Sequence, residues 1–95
     1  MAKAHLEITL KIDNADRSDA AGVYNQYKAP FLETISGAKS KELLVREDDV
    51  QVLHSFDGAE NAQAYLTSEL FNNDVVLALK PFLKVAPEVK IYSVA

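Results

Sequence analysis

The chain has 95 residues, with 10 Lys and Arg against 14 Asp and Glu, no cysteine and no tryptophan. This length is expected to make a single domain over residues 1–95, and 48% hydrophobic with 25% charged residues is the make-up of a folded globular chain. Without cysteine there is no thiol nucleophile, disulfide, Cys-ligated zinc or iron–sulfur cluster, and a net charge of −4 argues against nucleic acid as a partner.

The start, Met1-Ala2-Lys3-Ala4-His5, has no apolar stretch behind it for a signal peptide, and the longest unbroken apolar run, residues 75–79, is far short of a membrane span. A cytoplasmic protein with no membrane partner is expected. The first element reads as a strand, because Leu6, Ile8, Leu10 and Ile12 alternate with His5, Glu7, Thr9 and Lys11. Asp13-Asn14-Ala15-Asp16 ends it. A helix follows, with Asp16 or Ser18 as N-cap, Asp19 in its first turn and Ala20, Val23, Tyr24, Tyr27, Phe31 and Ile35 on its apolar stripe. Pro30 is expected to kink or break this helix near Lys28, and Gly37 to terminate it.

Residues 40–46 and 50–56 read as a hairpin around the acidic turn Glu47-Asp48-Asp49. Asp57 then opens a second helix, with Glu60 in a capping-box arrangement and Ala62, Tyr65, Leu66 and Leu70 on its apolar side. Asn72-Asn73-Asp74 interrupts that side and is placed to cap a further short helix that buries Val75, Val76, Leu79, Phe82 and Leu83, with Pro81 late in it. Pro87 precedes a last strand, residues 89–94. The order strand, helix, strand, strand, helix in two pieces, strand is the α+β, ferredoxin-like βαββαβ arrangement with a four-stranded antiparallel sheet.

Strand parity puts Leu6, Ile8, Leu10, Ile12, Val52, His54, Phe56, Val89 and Ile91 on the face that the helices cover. The opposite face collects His5, Glu7, Thr9, Leu44, Leu53, Tyr92 and Val94. That second face is bare in a two-layer fold, and its mixed character predicts a homodimer formed through it, sheet against sheet, as an α/β barrel.

Gly37-Ala38, the run Lys41-Glu42-Leu43-Leu44-Val45-Arg46-Glu47-Asp48-Asp49-Val50 through Phe56, and the run Ala62-Gln63-Ala64-Tyr65-Leu66-Thr67-Ser68-Glu69-Leu70-Phe71 carry a resemblance. With the helix, Pro and strand that follow, the chain resembles the dimeric α/β-barrel superfamily, in particular its antibiotic-biosynthesis-monooxygenase-like branch. The resemblance implies a pocket between sheet and helices. It also implies an activity among cofactor-free oxygenases of phenols and quinols, or among haem-degrading enzymes. Many active members place a tryptophan where this chain has Tyr65. The histidine ligand of the haem-degrading members falls on Val75, and their first-strand asparagine has no counterpart in residues 5–12. The Glu and Trp of quinol-oxidising relatives correspond to His54 and Phe56.

His54 is the one ionisable group on the helix-facing side of the third strand. Burial would keep its imidazole neutral, hence a candidate base for a phenolic proton. Tyr65 is its candidate hydrogen-bonding partner; Tyr24, Tyr27 and Phe56 are candidate substrate-binding residues for a small aromatic or apolar ligand. His5 and Glu7 share a side of the first strand but are too few for a metal site. Lys39 and Lys41 form a weak basic spot expected to face solvent, and the Glu47–Asp49 tip lacks calcium spacing. The function expected is a cofactor-free monooxygenase, without metal or flavin, acting on a small aromatic or quinol-type molecule. The alternative is a non-catalytic small-molecule-binding or stress-response dimer of the same fold, favoured by the substituted Trp, Glu, Asn and His positions.

Overall fold

Period-two alternation in the first strand propagates through the sheet of the computed structural model, which describes residues 2–95. In β1 (Ala4–Leu10) the side chains of Ala4, Leu6, Ile8 and Leu10 are buried while His5, Glu7 and Thr9 are half-buried. The other strands are β2 (Ala38–Val45), β3 (Val50–Phe56) and β4 (Glu88–Ser93), in the antiparallel order β2-β3-β1-β4. Because partners directly opposite point to the same face, register transmits parity. Leu6 lies between His54 and Ile91, and Ile8 between Val52 and Val89. Two helical crossovers cover this face and give the ferredoxin-like α+β fold that the sequence predicts.

The first crossover is α1 (Arg17–Thr34), entered through a single 3₁₀ turn at Asn14–Asp16. Asp16 occupies the N-cap position but makes no side-chain capping bond. Arg17 anchors the helix start instead, donating to the carbonyls of Ile12, Arg46 and Glu47. Contrary to expectation, Pro30 does not break α1. Proline removes only the amide that would have bonded the carbonyl of Gln26, an exposed residue whose carbonyl water can serve. Thr34 Oγ1 also donates to the Pro30 carbonyl at 2.6 Å, closing the last turn. Gly37 follows with φ +77°, and a Cβ there would collide with the side chains of Asp57 and Asn61. The position therefore demands glycine twice over.

The second crossover departs from its expected capping. α2 (Ala59–Tyr65) has Gly58, not Asp57, at its N-cap. Asp57 is occupied elsewhere: its amide donates to the Gly37 carbonyl at 2.9 Å and its carboxylate accepts from Asn61 at 2.7 Å. The break in the crossover falls at residues 66–68 rather than at Asn72-Asn73-Asp74. Ser68 Oγ donates to the Tyr65 carbonyl and accepts from the Phe71 amide, capping the next piece as an N-cap hydroxyl does. Asn72 reaches back to the carbonyls of Leu66 and Ser68. The chain then winds through a π-helical stretch, Leu70–Val75, into the short α3 (Val76–Leu79) and a 3₁₀ turn, Lys80–Phe82. Val75 is buried, whereas Val76, Leu79, Phe82 and Leu83 are half-buried.

The β2–β3 turn is tied by a bidentate pair, Arg46 donating to both carboxylate oxygens of Asp49 at 2.6 and 2.8 Å. This holds the Asp49 carboxyl below the usual carboxylate range. The core unites β1 and β3 with Ala20 and Phe31 of α1 and with Ala62 and Tyr65 of α2. On the opposite face Leu44 and Tyr92 are 42% and 48% exposed, and Ser55 Oγ hydrogen-bonds His5 Nδ1 at 3.0 Å. Among the described residues no helix is long and apolar enough to cross a membrane.

One correction bears directly on chemistry. Lys41 does not face solvent. β2 pairs it with His54, so it points under the helices, and it is only 3% exposed.

Candidate functional site

A lysine and a histidine side by side on neighbouring strands share one face of the sheet, and α1 lies over them. Tyr24 of α1 donates its hydroxyl to the Lys41 carbonyl at 2.6 Å. Lys41 Nζ stands 5.6 Å from the Tyr24 ring centre and 5.4 Å from that of Phe31, so two aromatic faces flank the ammonium. None of the ion pairs formed among the described residues includes Lys41. Burial, with a smaller push from the Lys28 charge, lowers the Lys41 pKa to about 8.

His54 is 2% exposed. Its Nδ1 lies 3.1 Å from the Leu6 carbonyl oxygen. A carbonyl can only accept, so Nδ1 carries the proton and the neutral ring keeps its lone pair on Nε2. Burial lowers the His54 pKa to about 4, aided by the Lys41 charge and opposed by the backbone of Leu6 and Val52. At neutral pH the pair is therefore an imidazole beside an ammonium.

Both groups border a partly enclosed cavity of about 90 Å³ between the sheet and the helices. Apolar side chains, among them Ala20, Val50, Val52 and Val75, form most of its wall. Polar groups come from only four lining residues, Arg17, Tyr24, Lys41 and His54, and no Asp or Glu among the described residues lines it. Val45 and Pro87, both exposed, mark its mouth.

Of the residues singled out in the sequence, the cavity brings together His54 and Tyr24. Tyr65, Phe56 and Tyr27 stand outside its lining. Tyr65 and Phe56 belong to an aromatic cluster with Phe31, at ring separations of 5.0 Å for Tyr65–Phe31 and 5.6 Å for Phe56–Phe31. The Tyr65 ring also packs 5.4 Å from His54. Its hydroxyl is buried with no hydrogen-bond partner among the described residues, and burial raises its pKa. His5 and Glu7 lie on the other face of the sheet, and no group of three or more His, Asp or Glu gathers there or elsewhere among the described residues.

Lys41 and Arg17 are the residues that sequence reasoning missed. A signal existed for Lys41: with Leu44 assigned to the bare face, alternation already puts Leu43 and Lys41 on the covered one. Arg17 carried no comparable signal, since its place depends on where the β2–β3 turn comes to rest.

No family model matches the chain, and no curated protein matches it in sequence. Solved structures do match in shape. A protein from Bordetella bronchiseptica, provisionally named an antibiotic biosynthesis monooxygenase, superposes with a TM-score of 0.85 at 10% identity, over 100% of this chain and 99% of that one. A likewise provisionally named monooxygenase from Caulobacter crescentus gives 0.83 at 16% identity, over 99% and 91%. A conserved protein from Methanosarcina mazei gives 0.83 at 12% identity, over 100% and 95%. The chain thus has the fold of the antibiotic-biosynthesis-monooxygenase-like domain, and at these identities the likeness is one of fold alone.

Proposed function

We propose that the protein binds a small, electron-rich aromatic molecule in the cavity between sheet and helices and oxidises it with dioxygen, without metal or flavin. The observation that carries this reading is the cavity itself: an apolar space with a neutral imidazole at its edge. His54 Nε2 accepts the proton of a substrate hydroxyl. The resulting anion is electron-rich enough to reduce dioxygen directly. A carbon–oxygen bond forms to the activated ring carbon, and the peroxide takes up a proton and loses water, leaving a carbonyl. Overall a CH₂ group and O₂ become C=O and H₂O, so one oxygen atom stays in the product. Tyr65 supports the ring of His54 by packing, from outside the lining of the cavity.

The test is oxygen uptake with a panel of hydroxylated anthrones, naphthols and quinols. Turnover is expected with at least one of them, and His54→Ala should reduce it by about 10²-fold, the scale of a lost general base. Turnover undiminished in that variant removes the role of His54. No oxygen uptake with any member, alongside measurable binding, favours the second reading, a binding protein of the same fold. One observation supports that alternative: His54 spends its Nδ1 proton on the Leu6 carbonyl, the arrangement of a satisfied core histidine.

The unit that carries out this function is proposed to be a homodimer formed through the bare sheet face. Leu44 and Tyr92 are largely exposed there, and a second copy would bury both. A dimer is expected in sedimentation at micromolar concentration, and a Leu44→Glu, Tyr92→Glu variant should run as a monomer. A wild-type monomer under the same conditions overturns the assignment.

A further inference from the structure

We propose that the ligand of the cavity carries an anionic oxygen on its aromatic body, and that Lys41 is the counter-cation that selects it. The inference rests on the aromatic-ligand reading above and adds the charge of the ligand. Lys41 is 3% exposed and has no carboxylate partner among the described residues. A buried ammonium without a partner is costly, and two aromatic faces offset that cost only in part.

The surroundings define what the missing partner must be. From α1 come Arg17, three of whose five N–H donors engage backbone carbonyls, and Tyr24, whose hydroxyl donates to the Lys41 carbonyl. From β3 comes His54, neutral, with its one proton engaged by Leu6. β1 and the stretch from Phe71 to Leu83 contribute only apolar side chains to the lining. Among the described residues, Lys41 is therefore the lining cation with none of its donors claimed, and no Asp or Glu shares the lining with it. A cationic ligand would meet like charge. A neutral hydrocarbon would fill the space and leave the ammonium still less solvated than before. An aromatic carboxylate or phenolate satisfies both the apolar wall and the charge.

Binding of benzoate, benzamide and benzylammonium, matched in size, to the full chain tests the charge preference by calorimetry. Benzoate is expected to bind at least tenfold tighter than benzamide, and benzylammonium not at all. Lys41→Met should abolish the benzoate advantage while leaving benzamide binding unchanged. 4-Nitrophenol separates the two anion types, because its visible absorption reports ionisation. Bound to the wild type below its solution pKa it should show the phenolate band, and bound to Lys41→Met the phenol band. Benzoate binding no tighter than benzamide in the wild type, a measurement that needs no variant, overturns the proposal. Anion preference without oxygen uptake by any phenol would sink the oxygenase reading and leave this one standing. Oxygen uptake undiminished in Lys41→Met, with no anion preference, would do the reverse.

Discussion

The space between sheet and helices has two halves that differ in how well they are filled. In one, Phe31 meets Tyr65 and Phe56 edge to face at 5.0 and 5.6 Å, and Phe31 and Phe56 are fully buried. In the other, Ala20, Val50, Val52 and Val75 are among the side chains that line a cavity. His54 stands on the boundary, against Phe31 at 5.1 Å on one side and lining the cavity on the other. Both halves bury polar groups, with opposite consequences. The Tyr65 hydroxyl is buried among rings and has no hydrogen-bond partner among the described residues. Lys41 and His54 line the cavity. Side-chain volume, rather than the presence of polar atoms, separates the filled half from the open one.

Opening the filled half is the most disruptive way to break this contrast. Phe31→Ala should cost about 3–5 kcal/mol in urea unfolding, since it removes the ring on which the cluster converges and leaves a hole that its rigid neighbours cannot close.

Acid attacks the boundary residue. The folded-state pKa of His54, about 4, lies below its ordinary 6.5, so between these values the unfolded chain binds the extra proton. The stability associated with neutral His54 is thus fully present above pH 6.5 and is lost as pH falls towards 4, by about 3 kcal/mol in all. Lys41 and Tyr65 face the ring and neither supplies a negative charge to hold a proton there. The slope over this window should vanish in His54→Gln, and an unchanged slope would assign it to other groups.

Neutralising the open half should have the reverse sign. Lys41→Met is expected to raise stability at neutral pH by about 1–3 kcal/mol, because it replaces an unpartnered buried charge by an apolar chain of similar length. The folded-state pKa of Lys41, about 8, is below its ordinary 10.5, so wild-type stability should rise as pH increases between these values. The variant should lack that rise. A loss of stability in Lys41→Met would make the lysine a structural residue.

The smallest effect belongs to the sealed hydroxyl. Tyr65→Phe should change stability by less than about 1 kcal/mol, since no hydrogen bond is lost. Oxygen uptake measured in the same variant isolates any contribution of the hydroxyl to turnover, because the packing is unchanged.

Much of this contrast was legible before folding. The alternation of Leu6, Ile8 and Leu10 identified the covered face, and it placed His54 correctly because antiparallel pairing preserves parity. Capping was less legible. Asp57 has the residue type of an N-cap, but the tight approach of Gly37 and the bond from Asn61 claim it first. Pro30 illustrates the same limit from the other side, since its cost depends on whether the orphaned carbonyl meets water. Lys41 is the opposite case: its charge suggests solvent, while its alternation with Leu43 puts it on the covered face.

The sequence by itself determined the order of elements, the antiparallel sheet and the identity of its covered face, because these follow from local periodicity and chain connectivity. Only the tertiary structure decided which buried polar groups face a void and which are packed shut. That depends on volumes summed across residues far apart in the chain, Ala20 against Val75 in one half and Phe31 against Tyr65 in the other. No local pattern encodes such a sum.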